Sequence, residues 1–141
     1  MEPSVNRIEP AATAQPKPLI VVIEDDPAVR NSLKFSLEIE GYAVRLYADG
    51  GDLLEHRRLP CADCLVVDYN LPHLTGLEVI GQLRDRRIHA PAILITSNPN
   101  RNLLDRAAVA GARVVEKPLL GDALIEGIRD IVGSRAPQST T

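Results

Sequence analysis

Four short apolar runs in this sequence end in polar side chains that could do chemistry. Each run has the length and the β-branched content of a buried parallel strand. Because the carboxyl ends of neighbouring parallel strands meet at one edge of a sheet, these side chains should lie together. Crowded carboxylates repel one another unless a cation joins them, so the pattern predicts a hard divalent metal. The side chains are Glu24, Asp25 and Asp26 after the first run, Asp68 after the second, Thr96 and Ser97 after the third, and Lys117 after the fourth.

Length and composition narrow the class of protein. The chain has 141 residues, which is enough for one domain with its own core. A formal net charge of -3 and a pI near 5.6 do not indicate nucleic-acid binding. No apolar stretch approaches the roughly 20 residues of a membrane span, and the N-terminus lacks the apolar core of a signal peptide. We therefore expect a soluble cytoplasmic protein with no contact to membrane.

The chain divides into one folded unit and two tails. Residues 1–18 contain four prolines and no apolar period, which predicts a disordered N-terminal tail. Residues 134–141 have a similar composition and predict a flexible C-terminal tail. The folded domain should run over 19–133.

Within the domain, strand patterns alternate with helix patterns five times. Asp26 is expected to cap the first helix, with Pro27 at its first position and Gly41 just past its end. This order predicts an α/β fold: a flavodoxin-like, doubly wound (βα)5 parallel sheet with strand order 2-1-3-4-5. Strands are expected at about 19–24, 43–47, 64–68, 92–96 and 113–116, and the later helices after Asp49, at Thr75–Arg86, at Asn100–Ala110 and at Leu120–Val132.

The segments that carry these residues resemble the receiver domain of bacterial two-component response regulators over the whole of 19–133. The amino-acid sequences of these segments are most similar to those of receivers of the nitrogen-fixation regulator type. Together and in order, these motifs are specific to the family. The matching features are the acidic pair Glu24-Asp25, Asp68 followed by Pro72 and Gly76, the hydroxyl pair Thr96-Ser97, and Lys117 before Pro118, which the family holds as a cis proline.

The resemblance implies a role for each of these side chains. Asp68 would be the phosphoacceptor, and the reaction would need Mg²⁺ to balance the charge of the transferred phosphoryl group. Lys117 would pair with a phosphoryl oxygen, and Thr96 would donate its hydroxyl to another after phosphorylation, drawing its loop inward. The expected metal ligands are Asp25, Asp68, the backbone carbonyl of Asn70, and Glu24 acting through water.

The resemblance also implies partners. A sensor histidine kinase or a histidine phosphotransfer protein would supply the phosphoryl group. A downstream protein target would dock on the face formed by the fourth helix, fifth strand and fifth helix, and homodimerisation is left open. On this interpretation the chain is no enzyme beyond its own phosphorylation and dephosphorylation, and this domain does not touch nucleic acid. The residues expected to give that face its basic and apolar character are Arg101, Leu103, Leu104, Arg106 and Arg113.

Two departures and several alternatives remain open. Val114 stands where many receivers carry an aromatic switch residue, and nothing after Gly133 could form an output domain. One alternative is therefore a receiver fragment of a longer regulator. Another is a Mg²⁺-dependent aspartyl-phosphate phosphatase, although Asn70 stands where such enzymes place an acid/base aspartate. Cys61 and Cys64 form either a redox or metal pair, or a loop cysteine and a buried strand-start cysteine.

Overall fold

Five strands and five helices alternate along the part of the chain that the structure describes. The structure is a computed structural model, and it describes residues 16–56, 59, 61–119 and 121–140, with side chains through Gly133. The elements are β1 (Leu19–Ile23), α1 (Pro27–Ile39), β2 (Ala43–Tyr47), α2 (Gly50–Leu54), β3 (Cys64–Asp68), α3 (Gly76–Asp85), β4 (Ala92–Thr96), α4 (Arg101–Val109), β5 (Ala112–Glu116) and α5 (Ala123–Thr140).

The strands form one parallel sheet in the order β2-β1-β3-β4-β5. This is the predicted 2-1-3-4-5 order, so the flavodoxin-like fold is confirmed. The register aligns the carboxyl ends: Asp68 lies beside Ile95 on β4, and Thr96 lies beside Glu116 on β5. The residues that follow β1, β3, β4 and β5 therefore emerge at the same edge of the sheet.

The sheet is buried on both faces, which explains its continuous apolar strands. Alternate residues of β1 point to opposite sides: Ile20 and Val22 pack with α1 and α5, whereas Val21 and Ile23 pack with α2, α3 and α4. Two helices thus cover one face and three cover the other, as a doubly wound sheet requires.

The ends of α1 follow the predicted local chemistry. Asp26 is the N-cap, and its Oδ1 accepts hydrogen bonds from the backbone N–H of Ala28 at 2.9 Å and of Val29 at 3.3 Å. Gly41 follows the helix with a φ of +99°, a left-handed conformation that favours glycine. Asp26 therefore serves the helix, as the sequence indicated.

The prediction for the last helix was wrong at both ends. The helix begins at Ala123 and not at Leu120, a residue that lies outside those described. The N–H of Glu126 bonds to the carbonyl of Asp122 at 2.8 Å, which places Asp122, a favoured N-cap residue, at the start. The backbone stays helical through Thr140, past the predicted helix end at Val132, whereas the flexibility predicted for 134–141 stays a prediction.

At the other end of the chain, residues 1–15 lie outside the described part, so the prediction of a disordered tail over 1–18 stays a prediction there. Pro18 already joins the sheet, since its carbonyl accepts the N–H of Ala43 at 2.9 Å. None of the described helices has the length and apolarity needed to cross a membrane.

Candidate functional site

The carboxyl ends of β1 and β3 gather three acidic side chains. One carboxylate oxygen each from Glu24, Asp25 and Asp68 lies within 4.8 Å of the other two. Glu24 and Asp68 are each only 3 % exposed, whereas Asp25 is exposed at the surface. The topology explains the grouping, because β1 and β3 are hydrogen-bonded neighbours and both strands end here.

Lys117 is the one cationic side chain predicted for the site, and it lies beside Asp68. It follows β5, and its backbone N–H bonds to the carbonyl of Thr96 at 2.8 Å. Its Nζ lies 3.0 Å from Asp68 Oδ1. The two groups meet as an ion pair and not as an aligned hydrogen bond, since Oδ1 has no hydrogen-bond partner. The peptide bond that follows, Lys117–Pro118, is cis, as the resemblance implied.

Thr96 ends β4 and is 2 % exposed. Its Oγ1 accepts a hydrogen bond from the N–H of Asn98 at 3.2 Å. Because this bond uses only a lone pair, the hydroxyl hydrogen remains available to an acceptor. Asn70 and Thr96 line one open cleft of about 400 Å³ beside α4. The metal-ligand role of the Asn70 carbonyl stays a prediction.

The acidic cluster carries unbalanced negative charge in a buried place. Among the described side chains, Glu24 Oε1 and Asp68 Oδ1 are buried oxygens with no hydrogen-bond partner. Burial raises the pKa of Glu24 from its ordinary 4.5 to about 7, and the charge of Asp68 adds to this effect. The N–H of Asp26, 3.1 Å from Glu24 Oε2, and the charge of Lys117 act in the opposite direction. The cluster thus needs more positive charge than Lys117 supplies.

These residues fit a Mg²⁺ ion. Three carboxylates offer the hard oxygen ligands that Mg²⁺ prefers, and the exposed Asp25 leaves one side open to water and phosphate. Glu24 Oε1 and Asp68 Oδ1 accept no hydrogen bond, so both oxygens could bind a cation, and Asp68 Oδ1 already lies beside the Lys117 ammonium. Glu24 Oε2 is already engaged by Asp26, which agrees with an indirect role for Glu24.

The raised pKa of Glu24 predicts a pH dependence of stability. Between pH 4.5 and about 7 the folded protein holds a proton that the unfolded chain has released, so the free energy of unfolding falls as pH rises and the loss is complete above pH 7. We expect a loss on the order of 1 to 3 kcal/mol in EDTA, measured by urea unfolding at a series of pH values. Glu24→Gln should remove this component, and Mg²⁺ should stabilise the wild type more at pH 8 than at pH 5.5. Equal pH profiles for the variant and the wild type would contradict the assignment.

Arg30 near the site was not anticipated from the sequence, and Gly76, known from its motif, has a packing role that the motif did not reveal. Arg30, in the first turn of α1, donates from Nη1 to the carbonyls of Glu24 at 2.9 Å and Asp25 at 3.2 Å. The signal for it was its helical position, because helix side chains lean towards the N-terminus and hence towards the preceding loop. Gly76 packs its Cα against the backbone of Asp68 so closely that a Cβ there would lie 2.9 Å from the carbonyl carbon.

The predicted docking face needs one correction. Leu103 is 4 % exposed and packs in the core with Ala107, one turn away, so it is absent from the surface. Leu104 faces outward and is 39 % exposed, and Val109, which was not expected on this face, is 91 % exposed. Two basic residues of this face, Arg101 and Arg113, form ion pairs with Asp105 at 3.9 Å and Asp130 at 3.6 Å, so their charge is partly offset.

The cysteines take no part in this site. Cys64 begins β3 and is buried, whereas Cys61 is exposed in the preceding loop, and no disulfide joins them. This arrangement matches the second interpretation of the pair, a loop cysteine and a strand-start cysteine.

Comparison with known proteins gives one consistent family. Residues 20–129 match the response regulator receiver domain. The response regulator MprA of Mycobacterium avium (strain 104) is 34 % identical over 120 residues, covering 84 % of this chain and 53 % of MprA. The transcriptional regulatory protein FixJ of Azorhizobium caulinodans is 35 % identical over 118 residues, covering 83 % of this chain and 56 % of FixJ. This chain therefore spans about half the length of the curated relatives it matches.

A solved structure supports the same family. The response regulator TrrA of Thermotoga maritima, described in complex with Mg²⁺ and BeF, has a TM-score of 0.71 and 30 % identity, covering 81 % of this chain and 98 % of TrrA. The nearly equal identities to MprA and FixJ do not separate subgroups, so the nitrogen-fixation subgroup stays a prediction. The fold, the gathered strand ends and the match over most of the chain lead to one conclusion: this chain belongs to the response regulator receiver domain family of two-component systems.

Proposed function

We propose that Asp68 accepts a phosphoryl group from a phosphohistidine of a sensor histidine kinase or a histidine phosphotransfer protein, with Mg²⁺ bound, and that the chain then acts in the cytoplasm as a signalling switch through protein contacts. The observation that carries this proposal is the position of the buried Asp68 carboxylate, which lies within 4.8 Å of the Glu24 and Asp25 carboxylates and 3.0 Å from the Lys117 ammonium.

Each residue has a physical task in this reaction. An oxygen of Asp68 attacks phosphorus, an O–P bond forms, and the electron pair of the donor's N–P bond stays with the imidazole nitrogen. The Lys117 ammonium already forms an ion pair with Asp68, and it can pair with the phosphoryl oxygens when the group is transferred. Asp25 and Asp68 would hold Mg²⁺, which would supply further positive charge against the charge that develops in the transition state.

Thr96 supports the switching step. Its buried hydroxyl retains a hydrogen to donate, and it is tied to the start of the β4–α4 loop through Asn98. Donation to a phosphoryl oxygen would turn this hydroxyl towards Asp68 and draw the loop with it. Because α4 follows directly, a shift of the loop would reach the exposed Leu104 and Val109, which we propose as part of the docking face for a downstream target.

We propose further that the chain turns over no external substrate. A phosphatase that releases its aspartyl phosphate repeatedly needs an acid/base group near the nucleophile, and the residue two positions after Asp68 is Asn70, which has no proton to exchange at neutral pH. Sustained release of phosphate from p-nitrophenyl phosphate, in large molar excess over protein, would contradict this part of the proposal.

Intact mass after incubation with a small phosphodonor tests the central claim. Wild-type protein with Mg²⁺ and either acetyl phosphate or phosphoramidate should gain one phosphoryl group, and the gain should disappear in EDTA. Hydroxylamine should remove the group, because an acyl phosphate is labile to it and a phosphoserine is not. An adduct that resists hydroxylamine, or no adduct with either donor together with no stabilisation by Mg²⁺ and beryllium fluoride, would overturn the proposal.

A further inference from the structure

We infer that Arg30 is a positioning residue that holds the β1–α1 loop so that Asp25 and Glu24 present their carboxylates to a divalent cation. The inference rests on the metal site of the proposed function and adds a residue to it. Its basis is the pair of hydrogen bonds from a single guanidinium nitrogen to two successive carbonyls, those of Glu24 and Asp25.

Arg30 contacts the backbone of the loop, and the neighbouring acidic side chains do not hold it. Nη1 lies 2.9 Å from the Glu24 carbonyl and 3.2 Å from the Asp25 carbonyl. Its guanidinium forms no ion pair with any carboxylate that the structure describes. The geometry therefore points to an effect on loop conformation.

Arg30 completes the set of contacts that hold this loop. On the strand side, the N–H of Glu24 bonds to the carbonyl of Tyr47 at 3.0 Å. On the helix side, the side chain of Asp26 caps α1. Asp25 lies between these two residues and is exposed, and its carbonyl accepts a hydrogen bond from Arg30. Without Arg30, the peptide units that carry the two metal-facing carboxylates would lose their only side-chain contact from α1 among the bonds described.

A positioning role and a purely electrostatic role of Arg30 predict opposite changes in Mg²⁺ affinity when Arg30 is removed. Arg30 carries a positive charge close to the cation site, so removing a purely electrostatic Arg30 would tighten Mg²⁺ binding. Removing a positioning Arg30 would weaken it, because the site would have to order its loop on binding. The affinity for Mg²⁺ should also fall more than the affinity for Ca²⁺, because Mg²⁺ demands near-octahedral geometry and Ca²⁺ tolerates irregular sites.

The experiment is calorimetric titration of Mg²⁺ and of Ca²⁺ into the full chain at pH 8, for wild type, Arg30→Ala, Arg30→Lys and Lys34→Ala. Lys34 is the matched control: it lies one turn further along α1 and pairs with Glu38 at 3.4 Å, away from the loop. We expect Arg30→Ala to weaken Mg²⁺ binding about tenfold and Ca²⁺ binding less. Arg30→Lys, which keeps the charge and loses the planar fork, should lie between, and Lys34→Ala should match wild type.

Several results would overturn the inference. Unchanged or tighter Mg²⁺ binding by Arg30→Ala would show that Arg30 acts only as a charge or not at all. An equal loss of Mg²⁺ and Ca²⁺ affinity would indicate a general loss of structure. If Arg30→Ala proves unfolded in EDTA, Arg30→Lys decides, and wild-type affinity and selectivity in that variant would reject positioning. Failure of the wild type itself to bind Mg²⁺ would contradict the metal site of the proposed function, and it is recognisable because all four proteins would then behave alike.

Discussion

Asp68→Asn is expected to slow phosphorylation by acetyl phosphate by more than about 10³-fold, to the point that no adduct is seen by intact mass. An amide oxygen is a poor nucleophile, and the variant also removes one of the three carboxylates of the cluster. The substitution is nearly isosteric, so the effect on chemistry should be separable from any effect on folding.

The same variant should remain folded and gain stability in EDTA at pH 8. The charge of Asp68 is one of the causes that raise the pKa of Glu24, so its removal should lower that pKa and relieve repulsion in a buried place. Urea unfolding of Asp68→Asn and wild type in EDTA checks this.

Asp105→Asn is the control for a lost carboxylate, since Asp105 lies on α4 and is exposed, and it should be phosphorylated like wild type. An adduct on Asp68→Asn that hydroxylamine removes would place the phosphoacceptor elsewhere.

Gly76→Ala is expected to lower the free energy of unfolding by about 3 kcal/mol, the largest stability effect we predict. A Cβ on Gly76 would overlap the carbonyl oxygen of Asp68 and would approach Leu94 Cδ1 to 2.9 Å. The Asp68 carbonyl belongs to a central strand and Leu94 belongs to the neighbouring strand, so neither can move without a large energetic cost. The start of α3 must move instead, and the backbone of Asp68 with it.

Gly81→Ala is the matched control for this prediction. Gly81 lies in the same helix, and a Cβ there would meet no atom within 4 Å. The same substitution should therefore stabilise the protein by about 0.5 to 1 kcal/mol, since alanine favours a helix over glycine. Urea unfolding of both variants provides the measurement. Gly76→Ala should also be phosphorylated more slowly than Gly81→Ala under one set of conditions, and equal stability of the two variants would contradict the argument.

The element order and the strand ends could be predicted from local patterns. Continuous apolar runs such as the one before Glu24 indicate parallel strands buried on both faces, and helices between them leave few topologies. Asp26 before Pro27 marks a helix start for purely local reasons, and Gly41 marks its end. These features depend on neighbours in sequence, so no knowledge of packing was needed.

Distances across the site could not be predicted in the same way. That Lys117 comes within 3.0 Å of Asp68 depends on the side-by-side placement of β3, β4 and β5. The raised pKa of Glu24 depends mainly on its burial, which the sequence of a strand end does not reveal. The same holds for Leu103 and Leu104, because only the packing of α4 decides that Leu103 faces the core and Leu104 the solvent.

By itself, then, the sequence determined the alternation of strands and helices, their caps, and which polar residues follow each strand, because these are set by short-range sterics and hydrogen bonds. Only the tertiary structure decided the close approach of Gly76 to Asp68, the distance between Lys117 and Asp68, and the burial of Glu24. The physical reason is that each of these depends on atoms from segments distant in sequence or on three-dimensional burial, and packing at the ångström scale brings them together.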